Sequence, residues 1–319
     1  MSERTADQSA YPYTRCPVKE GGNYNMKKAK SLKTALCFLA PGCLIYAVFM
    51  LYPILQSLYL SFFEWSGYAT VPPEFVGLQN YHYMFTDSIF YKALLNNLLY
   101  MGINIVIQIP VGLLLAIFLS KGRRGTRFYK AAFFMPVVLS ATAIALLWKF
   151  ILSPGNGLLN TLLDSVGLSQ FTHIWLGEPG TVMSAIAVVG AWQGVGYVMI
   201  LMLAALVNIP GSVLEQSVID GAGSVQRLRY VIIPLMWSAI KTNLVLLIIG
   251  SIKVCDIVYV MTGGGPMYSS EVLTTYMYTT SFKNGSFGLG SAIATFIFLF
   301  AVALTLITNK LLKKESIEY

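Results

Sequence analysis

Charge is scarce in this chain. Only 11% of residues are Asp, Glu, Lys or Arg, against 56% apolar. A soluble domain carries roughly 25% charged residues, so a water-facing surface is excluded and a bilayer, where apolar side chains can face outward, is implied. Cysteine is sparse as well. Cys37, Cys43 and Cys255 lie in apolar runs and Cys16 in a polar segment, which offers neither a disulfide framework nor a metal site. The two histidines, His82 and His173, fall in separate linking segments without a Cys or His at ligand spacing, and read as solvated loop residues.

Nucleotide and catalytic signatures are missing too. No G-x-x-x-x-G-K-S/T occurs, so the chain itself cradles no nucleotide phosphate, and no cofactor is expected on it. The string TGGGP at 262–266 lacks the lysine and reads as a turn closing an apolar run. No G-x-S-x-G, H-E-x-x-H or C-x-x-C is present, which argues against a membrane-embedded enzyme.

What the chain has is long apolar runs. A helix needs about 20 apolar residues to cross about 30 Å of hydrocarbon, and six runs qualify: 34–60, 93–119, 129–151, 182–207, 238–261 and 287–309. Lipid cannot satisfy backbone N–H and C=O groups, so helices are the expected form, giving an all-α integral membrane fold. Prolines 41, 53, 110 and 136 should kink their spans rather than end them. The net charge of +8 clusters beside these runs, which suits a membrane surface and no nucleic acid. One set of segments carries Lys27, Lys28, Lys30, Lys33, Lys121, Arg123, Arg124, Arg127, Lys130, Arg227, Arg229, Lys310, Lys313 and Lys314. The other set has only Lys92 and Lys283, against Glu64, Glu74, Asp87, Asp164, Glu178 and Glu271. Positive-inside bias therefore puts both termini and the 208–234 segment in the cytoplasm. The organisation expected is a cytoplasmic tail at 1–33, a first span at 34–60, an external loop at 61–92, a membrane core at 93–310 and a cytoplasmic tail at 311–319.

The charged pause at 208–234 is the exception within the apolar core. Pro210 can start a helix at its first position, and Ser212-Val213-Leu214-Glu215 fits a capping box. A short helix would run to Asp220 and stop at Gly221 in the left-handed region, with a second stretch from Ser224 to Pro234. Two readings stay open: a well-capped loop in which Glu215 serves its own helix, or a docking element whose Val213, Leu214, Val218 and Ile219 face a partner's groove.

Polar residues inside spans are costly and mark candidate pathways. Trp192, Gln193 and Tyr197 sit among Gly190, Gly194 and Gly196, either as ordinary helix packing or as an aromatic-plus-amide pair suited to a sugar. Asn243, Ser251, Lys253, Asp256 and Tyr259 share the next run; Lys253 and Asp256, three apart, either neutralise each other on one helical face or line a pathway. Lys149 and Lys241 should snorkel, and Asn104 with Gln108 forms a one-turn patch available for helix contacts, including those with a partner chain.

The segment resembles the EAA loop of permease subunits from binding-protein-dependent ABC importers. That signature reads Glu-Ala-Ala, three residues, Gly, nine residues, Ile, one residue, Leu-Pro. Here Glu215-Gln216-Ser217, Gly221, Val231, Ile233 and Pro234 occupy those spacings. The strings FVGLQNY at 75–81, NIPGSVLEQSVIDGAG at 208–223 and TGGGP at 262–266, in order on six runs, resemble the carbohydrate-uptake branch with its maltose- and glycerol-phosphate-type permeases. The short first external loop is similar to the compact six-span members.

The resemblance implies a type I ABC importer permease with six transmembrane helices. It implies a second homologous permease, a cytoplasmic ATPase dimer holding ATP and Mg, and an external solute-binding protein. Glu215 would contact the ATPase, Gly221 would make the turn within Asp220-Gly221-Ala222, and Pro234 would close the motif. Related permeases bind substrate in the region matching the 182–207 span and in the next span, so Trp192, Gln193, Gly194, Tyr197, Ser251, Lys253 and Asp256 become pathway candidates. The cargo implied is a sugar, oligosaccharide or polyol, with glycerol phosphate as an alternative. A self-contained carrier or channel is the competing class, although no 3+3 repeat is evident.

About thirty polar residues precede the first run, which does not fit a cleavable signal. Met26-Lys27-Lys28 reads as an ordinary start, so residues 1–25 are expected to be a dispensable or over-called extension. The intact mass of the membrane-extracted chain is expected to correspond to a start at Met26; a mass beginning at Met1 or Ser2 sinks this expectation.

Overall fold

The computed structural model describes residues 38–312 apart from 69, 121 and 123. The 1–33 tail, Cys16, Cys37, Lys121, Arg123, Lys313 and Lys314 therefore lie outside the described residues. The chain divides into two compact units, Met1–Leu55 and Gln56–Tyr319. The described part of the first is the leading stretch of helix α1 (Phe38–Leu60), which widens into a π-helical turn over Ala47–Leu51. That turn ends two residues before Pro53, which has no N–H to donate to the preceding turn.

The second unit opens with a ribbon. Strands β1 (Phe63–Glu64) and β2 (Glu74–Phe75) pair antiparallel, so the all-α expectation misses one small sheet. Helix α2 (Gln79–Thr86) follows, and α3 (Ser88–Ser120) runs unbroken through Pro110. Next come α4 (Thr126–Val138), α5 (Ala141–Ile151), α6 (Leu158–Ser165) and α7 (Val182–Val207). The remaining helices are α8 (Gly211–Ile219), α9 (Ser224–Leu235), α10 (Trp237–Ile252), α11 (Asp256–Met261), α12 (Leu273–Tyr278) and α13 (Phe287–Leu311).

Among the described residues α1, α3, α7 and α13 are long and apolar enough to cross a membrane singly, and two bent pairs bring the total to as many as 6. The expected run at 129–151 is the first pair: α4 and α5 meet at 97° rather than kinking at Pro136. Leu139 is extended there, and the Ser140 hydroxyl accepts the Ala143 N–H at 3.1 Å, so N-cap chemistry starts a new helix instead of continuing the old one. The expected run at 238–261 is corrected as well. It breaks after Ile252, and the pair that qualifies as a span is α9 with α10, bent by 71°. Within α9 a π-helical stretch, Leu228–Ile232, comes just before Pro234, as one does before Pro53.

Helices α3 and α7 form the central pair. A Cβ at Gly112 would lie 2.7 Å from Val198 Cγ1, and one at Gly194 would lie 2.6 Å from Gln108 Oε1. Small residues at these points let the two backbones approach. Gly190 is backed by the Tyr100 hydroxyl and Gly196 by the Phe133 carbonyl of α4. Asn104 and Gln108 are buried in this seam: Gln108 Nε2 donates to Asn104 Oδ1 at 2.6 Å, and Asn104 Nδ2 donates to the Tyr100 carbonyl at 2.8 Å. They serve packing within the chain, not a surface for a partner permease.

Three buried clusters follow one another along α3. Met84, Phe90 and Ala93 join Ile252, Leu273 and Ile293; Tyr100 joins Ile144, Ile186 and Val258; Leu113 and Ala116 join Met202, Leu206, Ile232 and Met236. With 33 residues α3 is about 50 Å long at ~1.5 Å per residue. The ribbon and the 208–234 segment therefore sit at opposite ends of it.

Because Gly196 faces a backbone carbonyl, which cannot rotate away, Gly196→Ala is expected to lower the midpoint of thermal unfolding by about 3–8 °C, the effect of ~1–3 kcal/mol of overpacking. Gly102→Ala, with nothing near its added methyl, is the control and should lose no stability in the same detergent assay. Equal behaviour of the two variants refutes the close approach.

Candidate functional site

Residues 208–234 build a capped helical elbow. Pro210 is the N-cap of α8, with φ −56° and ψ 131°, so the helix begins at Gly211 and the proposed Ser212–Glu215 capping box does not form. Ser212 lies inside the first turn, two positions too late to cap it. The C-terminal expectation holds. Gly221 has φ +79°, its N–H donates to the Val218 carbonyl at 3.0 Å, and the Ala222 N–H donates to the Ser217 carbonyl at 3.0 Å. Those two bonds are the Schellman arrangement, which needs a residue that tolerates the left-handed region. The real N-terminal clasp is one helix later, where the Gly223 N–H donates to Gln226 Oε1 at 2.9 Å.

The faces of α8 divide its residues. Leu214 packs on the cluster of Leu113, Leu206 and Ile232, and Ser217 is buried with its hydroxyl donating to the Leu214 carbonyl at 2.6 Å. A small side chain is needed there, which accounts for Ser217 at an alanine position of the EAA signature. Gln216 is exposed, so its bulk displaces nothing. Glu215 and Asp220 are exposed, Val218 and Ile219 are 54% and 79% exposed, and beyond the turn Val225 is 77% exposed. Glu215 makes no ion pair or hydrogen bond among the described residues, so it does not serve its own helix. The apolar face expected from Val213, Leu214, Val218 and Ile219 thus splits, its first half turned toward the core. Pro234 lies half-buried near the 71° bend that leads into α10.

A second constellation gathers around the break after Ile252. Lys253 ends α10, Cys255 is non-helical, and Asp256 starts α11. The break puts Lys253 and Asp256 on different elements, and no ion pair joins them among the described residues, which overturns the one-face pairing. Both are exposed, while Ser251 is buried. Side chains from elsewhere take up the freed backbone. Asn97 of α3 donates to the Ser251 carbonyl at 2.9 Å and accepts the Leu273 N–H at 2.8 Å, and the Thr274 hydroxyl donates to the Val254 carbonyl. Asn96 donates to the Glu271 carbonyl at 2.9 Å. Asn96 and Asn97 are not among the pathway candidates named from the sequence; two adjacent amides in the apolar string LLNNLLY are the signal for them.

The α7 candidates belong to a neighbouring wall. Trp192 is exposed and meets the Trp148 ring of α5 edge-on at 5.5 Å. Gln193 Nε2 reaches 3.5 Å from the Leu139 carbonyl, the one released by the 97° break. Tyr197 is exposed on the same helix, while Gly194 is filled by Gln108 and opens no gap. Helices α5 and α11, which begin after the two breaks, pack together with α7 through Ile144, Val182, Ile186, Ile257 and Val258. Trp192 and Gln193 therefore sit by one interruption, Ser251, Lys253 and Asp256 by the other, with one buried cluster between them. TGGGP is a turn, with Gly263 and Gly264 at φ +61° and +92°. His173 pairs with Glu178 at 3.3 Å on the surface. No group of three metal-ligating side chains occurs among the described residues.

Residues 108–315 match the family model described as the binding-protein-dependent transport system inner membrane component. The chain is 40% identical over 280 residues to the probable ABC transporter permease protein YurN of Bacillus subtilis, covering 86% of this chain and 94% of that one. It is 31% identical over 312 residues to the diacetylchitobiose uptake system permease protein NgcF of Streptomyces coelicolor, covering 92% and 88%. In fold it is similar to a chain of a bacterial alginate ABC transporter crystallised with an alginate pentasaccharide-bound periplasmic protein. The TM-score is 0.78 at 19% identity, covering 93% of this chain and 99% of that one.

Glu271 lies beside the TGGGP turn and carries a buried carboxyl group. It is 4% exposed, Oε1 has no partner, and its other oxygen lies against Gly264. Burial pushes its carboxyl above the ordinary carboxylate range, against the Thr275 hydroxyl and the Lys283 charge. The folded state therefore holds this proton more tightly than the unfolded chain, and stability falls as pH rises from the unfolded value toward the folded one. Glu271→Gln is expected to raise the unfolding midpoint by about 2–6 °C at pH 8, with a smaller gain at pH 5. A gain independent of pH, or a loss, contradicts the buried-charge account.

Proposed function

The chain belongs to the inner-membrane permeases of binding-protein-dependent ABC transporters, a multi-pass transport subunit and not a catalytic enzyme, and from that premise we propose how it is coupled and what it carries. It crosses the membrane six times with both ends on the cytoplasmic side, each bent pair counting as one span. Helix α8 is its handle for a separate ATPase, which holds ATP and Mg; a second permease completes the path, and an external solute-binding protein delivers the cargo. The observation that carries the coupling role is the exposed, unpaired Glu215 beside exposed Val218 and Ile219, on a helix whose other face is anchored in the core.

The cargo is a saccharide or related polyol. In support, the relative NgcF is named for diacetylchitobiose uptake, and the similar structure is of an alginate transporter. The pathway runs past the two helix interruptions, with Trp192, Gln193 and Tyr197 on one side and Ser251, Lys253 and Asp256 on the other. The supporting argument is physical: non-helical backbone at membrane depth is tolerated where it is buried in protein or lines a water-filled cavity.

Glu215→Ala, in the complex purified with its partners and reconstituted in vesicles, is expected to slow ATP-driven saccharide uptake roughly tenfold, as for ~1.4 kcal/mol lost from a docking contact. Membrane insertion should be unchanged. Normal uptake at equal permease content refutes the coupling role, and uptake by the chain alone without ATP refutes the division of labour.

A further inference from the structure

At the end of α3 away from the coupling elbow, the ribbon makes a second built site. The register sets Glu64 opposite Glu74, so both carboxylates project from one face, while Phe63 and Phe75, rings 5.3 Å apart, occupy the other. That face, with the starts of α2 and α13, encloses a cavity of about 360 Å³, within the range of small-molecule sites. Glu64, Trp65, Ser66, Glu74, Gln79 and Tyr83 line it, and among the described residues no cationic side chain does.

The frame is fixed. The Phe287 and Gly288 N–H groups at the start of α13 donate to the Trp65 carbonyl at 2.8 and 3.2 Å. The Asn80 amide donates to the Ser61 and Phe63 carbonyls at 2.9 Å each. Trp65 uses its indole N–H on the Val71 carbonyl at 3.1 Å, which holds the ring in place. Gln79 donates to the Tyr83 oxygen at 2.8 Å, leaving Gln79 Oε1 as an acceptor and the Tyr83 O–H as a donor. The Ser66 hydroxyl is buried and has no partner.

We propose that this cavity is a saccharide-binding subsite, separate from the membrane path. The assignment rests on the saccharide class proposed above. Sugar hydroxyls both donate and accept, and the cavity offers both kinds of partner: two carboxylates and an amide oxygen to accept, a phenol to donate. Trp65 and Tyr83 offer rings for the C–H face of a pyranose. An ammonium or guanidinium guest would leave the Tyr83 donor unmatched, and an anion would be repelled by the paired carboxylates. The cargo would thus be gathered at the mouth of the permease on the side that the charge bias places outside.

The test is tryptophan emission of the purified complex titrated with maltose, cellobiose, sucrose, chitobiose and mannitol, with Trp65→Phe as the reference that removes the reporter. A saturable change is expected with at least one of these, with a component that Trp65→Phe removes, and that component shifted about tenfold to weaker binding in Glu74→Gln, which keeps the tryptophan and the side-chain shape. No saturable change with any of them, or a change of equal size and midpoint in Trp65→Phe, overturns the proposal. Saturation by arginine methyl ester but by none of the saccharides also overturns it, in favour of a cation site. Uptake measured on the same preparation separates the two readings. ATP-driven saccharide uptake without a Trp65 response sinks this subsite alone, whereas a Trp65 response without ATP-driven uptake of any saccharide upholds the subsite and sinks the transport reading.

Discussion

Asn97 makes two hydrogen bonds on which the ribbon-end half of the second unit depends. It gives an N–H to the carbonyl of Ser251, where α10 is about to stop, and takes one from Leu273, where α12 begins. A helix can be interrupted in apolar surroundings only if something other than water replaces the lost backbone partners. An unmade buried bond costs ~1–3 kcal/mol, so the break after Ile252 is permitted because α3 and Thr274 reach across to it. Remove that support and Lys253 and Asp256 have no reason to leave a continuous helix. The interruption, and the polar groups it exposes, are therefore consequences of a side chain on a different span.

The same helix organises the opposite end by the opposite means. Near its start α3 uses amides to hold irregular backbone; in its second half, at Gly112 and along the Gly194 seam, it uses close contact to hold α7. Gln108 and Asn104 bond each other and their own helix, and the close approach of α7 brings the Ala187 carbonyl to 3.4 Å from the Asn104 amide nitrogen, so these amides are satisfied without lipid or a partner. One rigid pair then carries an irregular end and an elbow end, and the two share no side chains.

Much of this was legible beforehand because the governing rules act over short spacings. The glycine of the elbow could be read from Asp220-Gly221-Ala222 alone, since a left-handed C-cap depends on one residue type. Small residues at Gly190, Gly194 and Gly196 permit either close helix approach or a gap, and the packing found there is the close approach. Three features were not legible. Ser212–Glu215 matches a capping box, but Pro210, two residues earlier, is the N-cap, and a matching spacing does not say where the helix starts. Lys253 and Asp256 are three apart, which implies one face only if the helix continues between them. Asn97 acts at Ser251 and Leu273, partners that lie far along the chain, and no local pattern announces them.

Helix α8 is only nine residues long, and its inward and outward side chains alternate along one short cylinder. Leu214 and Ser217 answer to the permease's own interior, so they set the angle at which Glu215, Val218 and Ile219 are presented. Orientation and identity are thereby uncoupled. The interior residues can stay constant while the outward ones change, and the same scaffold can be fitted to a different motor by altering a few side chains that bear no weight in the fold.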